Sequence, residues 1–193
     1  MRKIAAKVCI AIGAVLIFSA LLLVCFNAYI SYKAGQEAEL LMGEIHQAIE
    51  ALPQTELPQL SPEMPVVEIE GYGYIGYLSI PELGLELPVM DQWDYNRLTK
   101  APCRHFGSAR TDDLVIAAHN YETHFKHLGE LTLGSEVTLT DMEGYSYRYT
   151  LQLMQTLQPD AVDAVQHSGY DLVLYTCTPG GATRVAAFFN RTA

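Results

Sequence analysis

The sequence predicts a mostly β domain, a barrel or a sandwich, carried behind one apolar helix. Residues 8–26 form a run of nineteen residues without a charge. Four prolines, Pro53, Pro58, Pro62 and Pro65, then punctuate a polar stretch. From Gly71 onward, seven short runs rich in Tyr, Val, Ile and Thr alternate with turn signals, as the strands of a closed or layered sheet do.

Twelve of the nineteen residues from Val8 to Phe26 are Val, Ile, Leu or Phe, enough length and apolarity to cross a bilayer as a helix. Those twelve favour insertion by about 4 to 7 kcal/mol, an upper bound because the values apply at the helix centre. Arg2, Lys3 and Lys7 precede the run, and the first acidic residue is Glu37. The positive-inside rule therefore predicts a cytoplasmic stretch at residues 1–7, a single-pass anchor at 8–30 and an extracellular remainder. A cleaved signal peptide shares the basic start and apolar run. Residues 27–32, Asn-Ala-Tyr-Ile-Ser-Tyr, offer it no small-x-small cleavage site.

Residues 31–70 read as a helical and Pro-rich linker. Leu40, Leu41, Ile45, Ala48, Ile49 and Leu52 recur at helical spacing within 33–52. Such a helix can pack on the domain, pair with another copy or lie along lipid. The prolines that follow favour a semi-rigid spacer, and the domain proper is expected over 71–193.

Within it the expected strands are 74–80, 85–90, 113–118, 136–140, 145–157, 171–177 and 184–190. Short helices are expected at 92–99, 125–131 and 160–165. Asp141-Met142-Glu143-Gly144 reads as a hairpin turn. The 22 acidic and 12 basic residues give a formal charge of −10. Setting aside the three leading basic residues leaves about −13 for the exported part, which argues against nucleic acid as a partner.

Four cysteines divide between the apolar run, Cys9 and Cys25, and the exported part, Cys103 and Cys177. One disulfide would be optional in a domain of this size. Cys177 ends the strand-like run Leu172-Val173-Leu174-Tyr175-Thr176-Cys177, and Arg184 follows after Thr-Pro-Gly-Gly-Ala-Thr. His119 closes another apolar run, Leu114-Val115-Ile116-Ala117-Ala118. A thiol attacks carbonyl carbon as thiolate, and an unperturbed thiol near pKa 8.5 is only a few per cent ionised at neutral pH. A neighbouring imidazole supplies the base, and a guanidinium can stabilise the developing oxyanion. Each residue also has an inert explanation: a core thiol, a satisfied histidine, a solvated charge.

The combination resembles the sortases, membrane-anchored cysteine transpeptidases of Gram-positive bacteria. Leu174-Tyr175-Thr176-Cys177 is similar to their leucine-x-threonine-cysteine signature, with Arg184 at the place of their arginine on the next strand. Residues 77–89, Tyr-Leu-Ser-Ile-Pro-Glu-Leu-Gly-Leu-Glu-Leu-Pro-Val, resemble the first two family strands, and residues 114–120 the strand that presents the histidine. The resemblance covers about residues 72–190.

It implies a closed eight-stranded β-barrel. It implies cleavage of an LPXTG-like sorting signal after its threonine, a thioester on Cys177, and transfer to an amine of a peptidoglycan precursor. Cys177 is then the nucleophile, His119 the general acid and base, and Arg184 the substrate and oxyanion ligand. Thr176 and Ala118 are the further substrate-contacting candidates, and no metal or organic cofactor takes part. The family's common glycine before the histidine is Ala118 here, and the 177–184 segment is short, so the subclass stays open. The absence of a second apolar span before Ala193 argues against the pilin-polymerising subclass.

Two other classes remain open: a non-catalytic wall-associated domain that binds peptide, and a cysteine peptidase that releases its product to water. His119, His124 and His127, with Asp112, Asp113 and Glu122 nearby, lack HExxH spacing and a Cys pair, which argues against zinc. His124 and His127 are expected on the surface of a short helix. Calcium, used by one sortase subgroup, has no loop of dense alternating acids here.

Overall fold

The computed structural model describes residues 2–51 and 61–192. One unbroken helix, α1 (Arg2–Glu50), leads into nine strands. In order these are β1 (Val67–Ile69), β2 (Tyr72–Ile80), β3 (Leu85–Met90), β4 (Cys103–Phe106), β5 (Leu114–Ala117), β6 (Glu136–Asp141), β7 (Ser146–Leu157), β8 (Leu172–Cys177) and β9 (Arg184–Arg191). Short helices α2 (Tyr95–Leu98) and α3 (Val162–Gln166) interrupt them. Single 3-10 turns occur at Pro81–Leu83 and Leu128–Glu130.

The strand order β2-β3-β4-β5-β8-β9-β7-β6 returns to β2 through a β2–β6 pairing, so eight strands close a barrel. The short β1 adds to β2 beside that ring. Closure needs Gly76. It faces Asp141 at a break in the β2–β3 register, its φ is +142°, and a Cβ there would fall 1.9 Å from the Thr140 carbonyl oxygen. Only glycine fits so close a strand approach.

Leu78, Ile80, Leu114, Ile116, Val137, Leu139, Tyr149, Leu172, Leu174 and Phe189 fill the barrel, each at most 1% exposed. β5, β8 and β9 are buried on their outer face as well, where Val115, Val173, Ala186 and Phe188 pack with Leu157 and Val165. Burial on both faces explains why these strands read as continuous apolar runs rather than alternating ones.

α1 carries the one candidate membrane span among the described residues, with a mean hydropathy of 2.9 and none of that window buried. Beyond it the helix packs on the domain, the first of its three expected fates. Ser31, Ala34, Ala38, Leu41, Met42 and Ile45 are buried at three- and four-residue intervals against the region of β2 and β3. Pro53, Pro58 and Leu52 lie outside the described residues. Residues 61–65 lie on the domain: Met64 is buried, Pro62 O accepts from Ser108 Oγ, and Ser61 O and Glu63 O accept from Arg110.

The hairpin turn at 141–144 is present, with Gly144 N–H donating to Asp141 O at 2.9 Å. Asp141 is fully buried. Its carboxylate accepts from Glu143 N, Tyr145 N, Tyr147 Oη and the Arg110 guanidinium, which satisfies a charge that burial would otherwise penalise heavily.

Two strands escape the sequence pattern. β1 is three residues long, and β4 mixes Arg104 and His105 into four residues behind Pro102, with no alternation to betray it. The expected helix at 92–99 contracts to α2, capped by Asp94, whose carboxylate accepts from Asn96 N and Arg97 N. The one at 160–165 appears as α3, shifted by two residues at its start. The expected 125–131 helix is only the 3-10 turn at Leu128–Glu130. His124 and His127 precede it in turns, and His124 is fully buried rather than at the surface.

Candidate active site

Backbone register alone aligns the three candidate side chains. β5 runs parallel to β8 with Ala117 beside Tyr175. Two residues further along each chain come His119 and Cys177. β9 runs antiparallel to β8 with Arg184 directly opposite Cys177. Because side chains two residues apart share a face, His119, Cys177 and Arg184 form a row across three strand ends, on the barrel's outer side. Tyr175, Ala117 and Ala186 form the row beneath.

Thr176 lies between these rows and points inward. It is 3% exposed, and its Oγ1 donates to Ala118 O at 2.8 Å, while Ala118 N–H donates to Tyr175 O. These bonds extend the β5–β8 ladder past the end of regular pairing, so the strand ends bearing His119 and Cys177 are stitched together. Ala118 is 3% exposed and faces the barrel core.

Arg184 is delivered by the turn after Cys177. Thr178 N–H donates to Thr183 O, and Gly181 N–H donates to Thr178 O. The guanidinium then bends over this turn, with Nη1 donating to Gly181 O and Thr183 O, both at 3.0 Å. Among the described residues these are its hydrogen bonds, which leaves Nε and Nη2 for a ligand.

The row opens on a cavity of about 290 Å³. One wall is aromatic: Trp93 and Tyr95 pack at 5.1 Å, and Trp93 meets His105 at 5.1 Å. Tyr175 Oη and His105 Nδ1 are 2.8 Å apart. The lining is completed by Leu157 at the end of β7 and by Pro159, Val162 and Val165 from the β7–β8 connection. Burial holds the His105 imidazole below its ordinary pKa and pushes the Tyr175 phenol up. Both are thus neutral partners at neutral pH.

His119 is likewise held below the ordinary histidine range by burial, so its imidazole is neutral at neutral pH and free to accept a proton. Its ring stacks on Tyr121 at 4.7 Å and 28°. Tyr121 in turn tilts on His124 at 5.3 Å. Both His124 nitrogens are buried without a hydrogen-bond partner, and burial, with a smaller contribution from His119, pushes its pKa down to about 4.

The three histidines do not converge. His124 lies behind Tyr121, while His127 sits between Glu122 and Glu130 with contacts of 2.7 and 2.6 Å. Among the described residues no cluster of three His, Cys, Asp or Glu is disposed to hold a metal.

Sequence motifs point to His119, Cys177 and Arg184 but not to Trp93, Tyr95 or His105. The first two flank the Asp94 cap, and His105 sits on the unrecognised β4. Tyr175 was visible only as one more strand tyrosine.

A closed barrel with a cysteine, a histidine and an arginine on adjacent strand ends defines a class, and residues 78–189 match the sortase domain family. The chain belongs to the sortase family. Sortase D of Bacillus subtilis (strain 168) is 30% identical over 111 residues, 54% of each chain. The match thus spans about half the length of that curated relative. Among solved structures, sortase C1 from Streptococcus agalactiae superposes with a TM-score of 0.56 at 25% identity, covering 65% of this chain and 71% of that one. Sortase C-3 from Streptococcus pneumoniae gives 0.57 at 22% identity, covering 84% and 85%.

Proposed function

We propose that this protein is a membrane-anchored cysteine transpeptidase whose catalytic domain faces the cell wall. In this reading it cleaves an LPXTG-like sorting signal and transfers the acyl group to an amine of a peptidoglycan precursor. The observation that carries the proposal is the His119-Cys177-Arg184 row at the mouth of the aromatic cavity.

The sorting signal lies in the cavity, its apolar side chains against Trp93, Tyr175 and the Leu157–Val165 wall. His119 takes the thiol proton, and the Cys177 sulfur attacks the threonine carbonyl carbon. The oxyanion draws hydrogen bonds from the free Nε or Nη2 of Arg184. His119 then returns the proton to the departing amine as the C–N bond breaks, leaving a thioester.

The acceptor amine arrives on the His119 side. There a second cleft, of about 730 Å³, lies between residues 27–32 of α1, Asn120–Thr123 and Gly180. His119 deprotonates that amine as it attacks, and the sulfur leaves. A thioester keeps its acyl reactivity, so a positioned amine can compete with water. The basic N-terminus and the apolar run support a single-pass anchor with residues 1–7 inside the cell.

A screen of LPXTG-like peptides with an added amine tests the reading. Wild-type protein should form an amide-linked product and Cys177→Ala should form none. Free acid alone, with amine present, would assign a hydrolase instead, and equal behaviour of the two proteins would assign a binding domain.

A further inference from the structure

The loop after His119 is fastened to α1. We propose that this junction is a positioning element of the active site, in which Ser31 and Gly35, acting through Glu122 and Thr123, set the place of the His119 ring. The inference rests on the transpeptidase reading, in which His119 moves the protons.

Three contacts make the junction, all between segments about ninety residues apart in sequence. Ser31 Oγ accepts from the Glu122 backbone N–H at 2.9 Å, and Ser31 O accepts from Thr123 Oγ1 at 3.1 Å. One turn on, Gly35 lets the helix and loop close completely. A Cβ there would sit 2.5 Å from Thr123 Cγ2 and 3.0 Å from Thr123 Cβ.

The loop needs this support because β5 ends at Ala117 and no strand carries it further. Inside the loop, Phe125 N–H donates to His119 O at 3.1 Å, and the His119 ring stacks on Tyr121, which packs tilted against His124. A shift of Glu122 and Thr123 therefore passes through Tyr121 to the His119 imidazole. Ser31 is five residues beyond Phe26, about 7.5 Å along the helix axis. The anchor thus meets the catalytic loop almost where its apolar run ends.

The junction contains its own test. In full-length protein in detergent micelles, Gly35→Ala drives a methyl group into Thr123, and adding Thr123→Ser removes the nearest obstructing atom, Cγ2, leaving the milder contact with Cβ and keeping the hydroxyl. Two readouts apply: kcat and KM for amine transfer, and the rate of Cys177 alkylation by iodoacetamide between pH 5 and 8.

Gly35→Ala should lower kcat and the neutral-pH alkylation rate about ten- to a hundredfold, as small displacements of catalytic groups do. KM for the peptide should stay within about twofold, and the double variant should recover much of both rates, since only the milder Cβ contact remains. Unchanged rates in Gly35→Ala, a change in KM alone, or a loss that Thr123→Ser does not relieve would each overturn the positioning role. Alkylation requires no peptide. If the variants alter it as expected while wild-type protein transfers nothing to an amine, the transpeptidase reading fails and the positioning inference stands.

Discussion

Cys103 and Cys177 stand on the outer faces of strands in one barrel, yet their surroundings assign them opposite chemistry. Cys103 opens β4 with no exposed surface, packed with Tyr74, Met90, Leu98 and Ala117, and its Sγ donates to Ala101 O. Burial pushes that thiol up to about 12, with nearby Asp94 adding to the effect. Cys177 ends β8 half-buried at a cavity, between an imidazole and a guanidinium. The lesson is that a thiol at one strand end lines a cavity while a thiol at another is packing material. What differs is whether the strand stops at an opening or under a lid of side chains.

The largest expected effect separates the two thiols directly. Cys177→Ala should reduce amine transfer by about 10⁴-fold or more, as loss of a nucleophile does in other covalent enzymes. Cys103→Ala should leave kcat within about twofold and lower stability by about 1 kcal/mol through the small cavity it creates. Comparable losses of activity in both variants would break the comparison.

Arg184→Gln should lower kcat by about 10² to 10³ with a smaller effect on KM, the signature of a donor used mainly in the transition state. A change confined to KM would recast Arg184 as a residue that only binds peptide. Thiol labelling sharpens the contrast further. At pH 7.5 a thiol raised from 9 to about 12 has about 10³-fold less thiolate than an unperturbed one. A thiol-specific electrophile should therefore modify Cys177 in the folded protein and reach Cys103 only after unfolding, as peptide mapping would reveal.

These predictions rest on parts of the molecule that were unequally legible in sequence. β5, β8 and β9 announced themselves because burial on both faces makes long apolar runs, and their ends carry the motif residues. The hairpin at Asp141–Gly144 was visible for its turn chemistry. Helices near 92–99 and 160–165 were expected, but the cavity walls were hidden: Trp93 precedes the four-residue α2, Val162 opens α3, His105 sits on a four-residue strand without alternation, and nothing local shows that these side chains meet beside Cys177. His124 misled for a related reason. Its polar neighbours suggested a surface helix, but the loop folds inward to build the stack behind His119, and long-range packing of that kind leaves no local signal.

The last expected effect, on stability rather than on catalysis, concerns that histidine. Its folded pKa lies below the unfolded one, so the unfolded chain binds more protons between them. Stability from this residue is full above about pH 6.5 and is lost as pH falls toward 4, up to about 3 kcal/mol for a shift of that size. His124→Phe, which introduces no unpaired nitrogen, should flatten the decline in melting temperature between pH 6.5 and 4. An unchanged slope would show that other groups govern it. Amine transfer, by contrast, should fall on acidification through an apparent pKa below 6.5, where His119 becomes protonated.

The central claim is that Cys177 carries the acyl group between peptide and amine. Intact-protein mass spectrometry after rapid acid quenching, with an LPXTG-like substrate and no added amine, tests it most directly. The account predicts an adduct with the mass of the peptide up to its threonine, mapped to Cys177, sensitive to hydroxylamine and lost within one turnover when amine is supplied. Product formation without any adduct, or an adduct that persists in Cys177→Ala, would contradict it.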